Sequence, residues 1–326
     1  ETVTQMDFGF DASFLNNRLT GTFDWYRRNT KDMLVAGATL PATLGASVPK
    51  SNSADMKTIG WELSLGWNDR LENGFSYWVK GVLSDYQATI TKYAGNDAGF
   101  YSQSDGDGKY YVGQKIGEIW GYHSNGLFQS DDEAATIDQS ELYAGKWGAG
   151  DVKYEDLDND GKITKGEETI YNPGDKSIIG NKTPRYQFGI TIGFDYKNFD
   201  FEMFWQGTGK RDYMLSGAQF WGFTSQWDVP YTPALDYWTE TNTDAYFPRP
   251  GWQNGGNRVT SDRYLQSAAY GRLKNLTVGY TIPKNLTTKW GISRLRLYVT
   301  GGNLLTNTSL NDAFGPGTLI EKLQLD

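Results

Sequence analysis

The sequence predicts an all-β fold: about eight antiparallel strands in one up-and-down meander, forming part of a transmembrane β-barrel with long loops at one end. Three observations predict it. Apolar side chains recur at every second residue, the spacing that puts them on one face of a strand. Glycine supplies 39 of 326 residues and aromatics 15%, which suits turns and pleated sheet more than helices. Short and long connections alternate along the chain, so the short ones gather at one end of the meander.

The first strand is expected at 6–15, where Phe8, Phe10, Ala12 and Phe14 alternate with Asp7, Gly9, Asp11 and Ser13. Asn16-Asn17-Arg18 turns the chain into a second strand at 19–34. A third, at 58–69, sets Ile59, Trp61, Leu63, Leu65 and Trp67 on one face, and a fourth follows at 75–93 after Arg70 to Gly74. Between Tyr186 and Tyr196 the apolar row is Tyr186, Phe188, Ile190, Ile192, Phe194 and Tyr196, giving a strand at 185–196. Lys197-Asn198 leads to another at 199–209. The last two strands are expected at 269–282, with Leu276, Val278, Tyr280 and Ile282 on one face, and at 292–302, joined through Pro283 to Gly291. Long links cover 35–57, 94–184 and 210–268.

An outer-membrane barrel sorts its connections in this way, with short periplasmic turns and long extracellular loops; its strands need ~9–11 residues to cross the bilayer. Aromatics near strand ends (Trp25, Tyr26, Trp67, Tyr77, Trp78, Tyr196 and Phe199) fit the interfacial girdles of such barrels. The soluble sandwich stays open at this point, because the apolar face could equally pack on a second sheet.

Composition removes several function classes. Lys plus Arg is 31 and Asp plus Glu is 39, a formal charge of −8, which argues against nucleic acid as a partner. With no cysteine and one histidine, thiolate zinc sites, cysteine nucleophiles and multi-histidine metal sites are impossible. Mean hydropathy is −0.59, and no run reaches the ~18 apolar residues of a membrane-spanning helix.

The acidity belongs to one loop. Residues 94–184 hold 17 acidic and eight basic side chains, a net −9, so the rest of the chain carries about +1. Most of this charge reads as solvated surface, Asp131, Asp132 and Glu133 included. One stretch is more specific: Asp156-Leu-Asp158-Asn-Asp160-Gly161-Lys162-Ile-Thr164-Lys-Gly-Glu167 has the spacing of a twelve-residue calcium loop. Asp156, Asp158 and Asp160 stand at positions 1, 3 and 5, with Gly161 at the sharp turn. Lys162 would offer its carbonyl, Thr164 would act through water, and Glu167 would bind through both oxygens. The flanks look extended or irregular, so a structural Ca²⁺ clip is expected and not a helix-opening sensor.

Catalysis finds little support. His123 lies in Gly121-Tyr-His-Ser-Asn-Gly126 with no nucleophile elbow, and reads as an ordinary loop residue. A glycosidase needs only two carboxylates at a set separation, and no pair stands out. The 210–268 loop concentrates aromatics, among them Phe220, Trp221, Phe223, Trp227, Trp238, Phe247 and Trp252. Trp221, Trp227 and Trp238 are the candidate substrate contacts, since such rings stack on sugar faces or anchor a partner. Packing against one another to shape a long loop is the competing reading, and the favoured one.

Several blocks follow one another in a recognisable order. They include Phe14-Leu-Asn-Asn-Arg-Leu19, Asp24-Trp-Tyr-Arg-Arg-Asn-Thr-Lys-Asp-Met-Leu34, Ile59-Gly-Trp-Glu-Leu63 and Gly150 to Ile163. They continue with Ile179-Gly-Asn-Lys-Thr-Pro-Arg-Tyr-Gln-Phe-Gly189, Tyr196-Lys-Asn-Phe-Asp200, Asp236-Tyr-Trp-Thr239, Tyr246-Phe-Pro-Arg249 and Tyr270 to Pro283. Across residues 5 to 306 the chain resembles the C-terminal half of the barrel in SusC/RagA-type TonB-dependent outer-membrane transporters. The resemblance implies a 22-stranded barrel to which this chain contributes about eight strands. It implies import of oligosaccharides or peptides, a SusD-like surface lipoprotein as partner, energy from TonB-ExbB-ExbD, and no enzymatic activity. The aspartate-rich turn would lie outside the cell. The plug domain, the TonB-contacting segment and the closing strands are expected outside this chain, and two open sheet edges in lipid would need the remaining barrel strands beside them. A secreted soluble β-protein that binds or hydrolyses glycans is the alternative from another class.

Overall fold

The computed structural model describes residues 1–36, 43, 45, 49–94, 96, 99–100, 110–143, 145–251 and 254–310. Trp252 and residues 311–326 lie outside them. No helix among the described residues is long and apolar enough to cross a membrane.

The chain opens with four long strands: β1 (Thr2–Phe14), β2 (Leu19–Ala36), β3 (Lys50–Arg70) and β4 (Ser76–Tyr93). The connection after β4 carries β5 (Glu118–Tyr122), β6 (Ser124–Leu127), β7 (Val152–Tyr154) and β8 (Lys176–Asn181). Two more long strands follow, β9 (Arg185–Tyr196) and β10 (Phe199–Lys210). A second long connection holds β11 (Asp212–Met214) and β12 (Leu265–Ser267), before β13 (Tyr270–Thr281) and β14 (Arg296–Thr308). The eight long strands form one antiparallel sheet in the order β1-β2-β3-β4-β9-β10-β13-β14, so every chain-neighbour among them is also a sheet neighbour.

Register aligns the apolar positions into rows. Phe10 faces Phe23, which faces Leu63, then Leu83, then Phe188. Nearer the short turns, Tyr77, Phe194, Phe201, Val278 and Val299 form another row. Nothing among the described residues covers this face: Phe8 is 65% exposed, Phe10 55% and Val299 78%. A sandwich would bury these side chains against a second sheet, and water would not tolerate so broad an apolar surface. Lipid does, and the sheet is an outer-membrane barrel segment with its apolar face outward.

The opposite face is polar and rich in glycine. Gly9, Asp24, Glu62, Ser84 and Gln187 form a row that would line the lumen. Strand alternation separates the neighbouring aromatics expected at the interfaces. Trp25 and Tyr77 share the lipid face, whereas Tyr26 and Trp78 fall on the polar face and lie across glycines of the next strand. A Cβ at Gly60 would meet the Tyr26 ring at 2.5 Å, and one at Gly193 would run into the Trp78 ring. Part of the high glycine content is therefore room for lumenal rings. The periplasmic girdle gathers around Phe75, whose ring lies 5.5 Å from Phe194 and 5.9 Å from Tyr196. Trp67 Nε1 donates to the Tyr77 hydroxyl at 3.2 Å on the same level.

Two strands differ from expectation. β3 starts at Lys50, where Ser51 and Lys50 pair with Val35 and Ala36 beyond register shifts at Thr30 and Met33. Lys50-Ser51-Asn52-Ser53 carries no apolar alternation, so backbone pairing alone holds it. β14 runs Arg296–Thr308 because Pro283 to Gly291 continues as short helical turns, closed by Gly291 at φ 69°.

Candidate functional site

The two long connections emerge at the end of the sheet opposite the short turns, and they fold together as one body. Their shared core takes Tyr122, Leu127, Tyr143, Val152, Tyr154 and Ile163 from the first. Leu215, Phe220, Phe247 and Tyr264 come from the second. Within it, β5 pairs with β8, β6 with β7, and β11 with β12. Short strands of this kind are marginal alone and depend on the packing around them. Burial pushes the Tyr143, Tyr154 and Tyr264 hydroxyls above their ordinary pKa. Tyr154 donates to the Gly256 carbonyl at 2.6 Å.

A buried carboxylate joins the loops. Asp151 is fully buried, and Arg249 of the other loop grips both of its oxygens at 2.9 and 2.6 Å. Asn254 and Asn257 donate side-chain amides to Asp151 Oδ1, and Gly148 donates its backbone N–H to Oδ2. With its lone pairs filled, the charge is tolerated inside a largely apolar body.

His123 bridges the same two loops. Its Nδ1 lies 2.8 Å from Asp262 Oδ2 and its Nε2 2.7 Å from Ser177 Oγ. Asp262 Oδ1 accepts from the Ser124 backbone. Serine hydrolases use the same Asp–His–Ser order. Here Ser177 sits inside β8 opposite Gly121, not at the strand-to-helix turn of a nucleophile elbow. No sequence signal linked His123 to residues 54 and 139 positions away.

The aspartate-rich turn folds tightly on itself. Asp156 Oδ1 accepts from Asn159 N and Asp160 N, and its Oδ2 from Gly161 N at 2.8 Å. Gly161 has φ 84°, a left-handed backbone that favours glycine. Carboxylate oxygens of Asp156, Asp158 and Asp175 lie within 4.8 Å of one another. Asp160 and Glu167 do not join this group, and Lys162 and Thr164 follow in irregular backbone, Lys162 in an isolated bridge to Asp138. Asp175, which the twelve-residue spacing did not single out, is fully buried. It accepts from Leu157 N at 2.8 Å and Thr164 N at 2.7 Å, clamping both arms of the turn. Burial, with Asp158 and Asp156 beside it, pushes the Asp175 carboxyl above its ordinary pKa despite those two backbone donors. The donors are hard oxygens, the kind Ca²⁺ takes.

Asp131 and Glu133, expected as solvated loop, have structural partners. Asp131 accepts from Ala149 N, and Glu133 accepts from Gln129 N and Lys153 Nζ. These donors hold the Glu133 carboxyl below the ordinary carboxylate range.

The three candidate tryptophans separate. Trp221 packs against Tyr264 at 4.5 Å and also lines a cavity between the loops. Trp238 packs on the shared core with its indole N–H buried and without a hydrogen-bond partner among the described residues. Only Trp227 projects, 83% exposed on a turn that the Asp228 carboxylate ties to Thr224 and Ser225.

Known proteins resemble the chain along nearly its whole length. TonB-dependent receptor P3 of Formosa agariphila is 30% identical over 323 residues, covering 94% of this chain and 30% of that protein. TonB-dependent receptor SusC of Bacteroides thetaiotaomicron is 25% identical over 282 residues, 86% of this chain and 26% of that protein. The solved RagAB peptide transporter superposes with a TM-score of 0.71 at 21% identity, over 94% of this chain and 32% of that one. The chain thus spans about a third of the length of the curated relatives it matches. No protein-family model matches it.

Proposed function

The chain belongs to the SusC/RagA type of TonB-dependent outer-membrane transporters, as a segment of their barrel, and from that premise we propose its role in nutrient import. The complete protein takes up oligosaccharides or peptides with energy from TonB-ExbB-ExbD, beneath a SusD-like surface lipoprotein, and performs no chemistry on them. The observation that carries this reading is the pairing of a lipid-facing sheet with a single folded loop body at its extracellular end, where cargo would first arrive. The exposed Trp227 turn is a contact for cargo or lipoprotein. Uptake by cells with and without TonB tests the import, and co-purification in mild detergent tests the partner. TonB-independent uptake, or a transporter always isolated alone, would count against the respective half.

We further propose that the aspartate-rich turn binds Ca²⁺ as a structural clip. Asp156 and Asp158 would ligate it with Asp175, and Asp160, the Lys162 carbonyl, Thr164 and Glu167 would complete the shell on small movements of the turn. Three crowded carboxylates, one of them buried, repel each other until a cation joins them. Asp156→Ala with Asp160→Ala, and separately Asp175→Asn, are expected to remove bound calcium and expose the turn to protease. Unchanged metal content in both variants would defeat the site. Calcium must displace protons from these groups, so its affinity is expected to fall as the pH drops. Without the ion the sign for Asp175 reverses. Its carboxyl titrates above the ordinary 3.8, so its contribution is greatest below that value and is lost as pH rises through the raised one.

A further inference from the structure

The lipid-facing side of β2 and β3 changes character toward its extracellular end. Phe8, Trp25 and Trp61 form one outward row in the register. The next row holds Met6, Arg27 and Ile59, and the one beyond it Thr4, Asn29 and Lys57. Lys31 follows, opposite Thr2. A tryptophan pair at this level is an interfacial girdle, so the three cations begin where the hydrocarbon ends. Strand geometry agrees. Counted from Leu19 at the short-turn end, Arg27 and Lys31 stand roughly 20 and 30 Å up a strand tilted by about 40°, bracketing the upper edge of a ~25 Å apolar band.

The cations form a triangle. Lys57 lies directly across from Asn29, which sets it diagonally beside both Arg27 and Lys31, ~7–8 Å away along the backbone. Arg27 Nε donates to Asn29 Oδ1 at 3.3 Å. That neutral partner turns the guanidinium toward Lys57 and leaves its charge uncancelled. Among the described residues none of the three makes an ion pair. The neighbouring acids are engaged elsewhere: Asp55 accepts from the Asp32 backbone at 2.8 Å, and Arg185 grips both oxygens of Asp85. On β4 the positions opposite Ile59 and Lys57 are Gln87 and Thr89, so the charge is confined to two strands. Below it the face is apolar, with Phe8 exposed and the Phe10 and Phe23 rings 5.9 Å apart. An anionic head with hydrocarbon chains satisfies both parts of this surface. Phosphate suits the head, because its oxygens can meet a guanidinium and two ammonium groups together.

We propose that Arg27, Lys31 and Lys57 bind the phosphate of an outer-leaflet lipid headgroup, whose acyl chains lie along Phe8, Phe10 and Phe23. The site depends on the outward orientation of this face and not on the cargo. The test uses the complete transporter in a neutral detergent, stripped of lipid and titrated in native mass spectrometry with monophosphoryl lipid A. The same lipid after phosphatase treatment serves as the comparison, and wild type is expected to prefer the phosphorylated form. Arg27→Gln, Lys31→Gln and Lys57→Gln are each expected to weaken its binding about fivefold, and the triple variant about a hundredfold. Arg28→Gln removes the same charge from the lumenal face of β2 and is expected to leave binding unchanged. Heat-modifiable mobility in gels verifies that each variant has assembled, and the single variants carry the test should the triple one fail to do so. Equal binding of the lipid with and without phosphate would overturn the proposal. So would undiminished binding by the assembled variants, or a loss in Arg28→Gln as large as in Arg27→Gln. Inorganic phosphate that displaces the lipid at equal concentration would mark a simple ion site and overturn it as well.

Discussion

The sheet and the loop body obey opposite solvent rules within one chain. In the sheet, large apolar side chains such as Phe8 and Val299 point outward and are exposed, while Asp24 and Glu62 sit on the inner face. In the loop body the same residue types are buried, and Tyr154, Phe128 and Tyr264 are inaccessible. The difference follows from what surrounds each region. Lipid cannot hydrogen-bond, so the sheet satisfies its backbone in ladders and turns its apolar side chains to the hydrocarbon. Water surrounds the loops, so they must build a core of their own, and that core is irregular enough to need polar ties such as Asp151.

This contrast can be broken from either side, and the largest effect is expected at Asp151. Asp151→Ala would leave the Arg249 guanidinium and two amides without their acceptor, at a cost of about 3–5 kcal/mol to the loop body. Rapid proteolysis within 110–270 beside a barrel that keeps its heat-modifiable mobility in gels would establish that the regions are separately stabilised. Simultaneous loss of both would refute it. Next comes charge on the lipid face: Leu83→Arg, in the mid-strand row with Leu63 and Phe188, should cost ~2–4 kcal/mol near the bilayer midplane and reduce assembly. Thr191→Arg, on the lumenal face of the adjacent strand, should assemble normally. Equal assembly of the two variants would mean that the faces are assigned wrongly.

Smaller effects sharpen the picture of the loops. Tyr154→Phe removes the hydroxyl that donates to Gly256 and should destabilise the loop body by about 1 kcal/mol, seen as faster amide exchange around 254–258. His123→Ala should cost ~1 kcal/mol or less, because the pair with Asp262 is partly solvated. Its readout is exchange in β8 and at Ser124, with no change in the barrel. An effect as large as that of Asp151→Ala would make His123 a principal tie between the loops.

Much of this was legible residue by residue. Period two in Tyr186 to Tyr196 fixed both a strand and its lipid face, because neighbouring side chains on a strand must part company. The same rule, applied strictly, would also have placed Tyr26 and Trp78 on the polar face. Lys50 to Ser53 was illegible as strand because its pairing is made by backbone alone, which leaves no side-chain pattern.

The sequence by itself determined the eight-strand meander, the sorting of short turns from long loops, and the tight aspartate turn closed at Gly161. Each depends on local spacing or on the few residues that permit a given backbone. Only the tertiary structure decided that Asp175 joins Asp156 and Asp158, that Asp262 and Ser177 meet His123, that Arg249 closes on Asp151, and that a cavity opens between the loops. Those partners lie far apart in the chain, and their meeting depends on how two irregular loops pack, which no periodicity encodes.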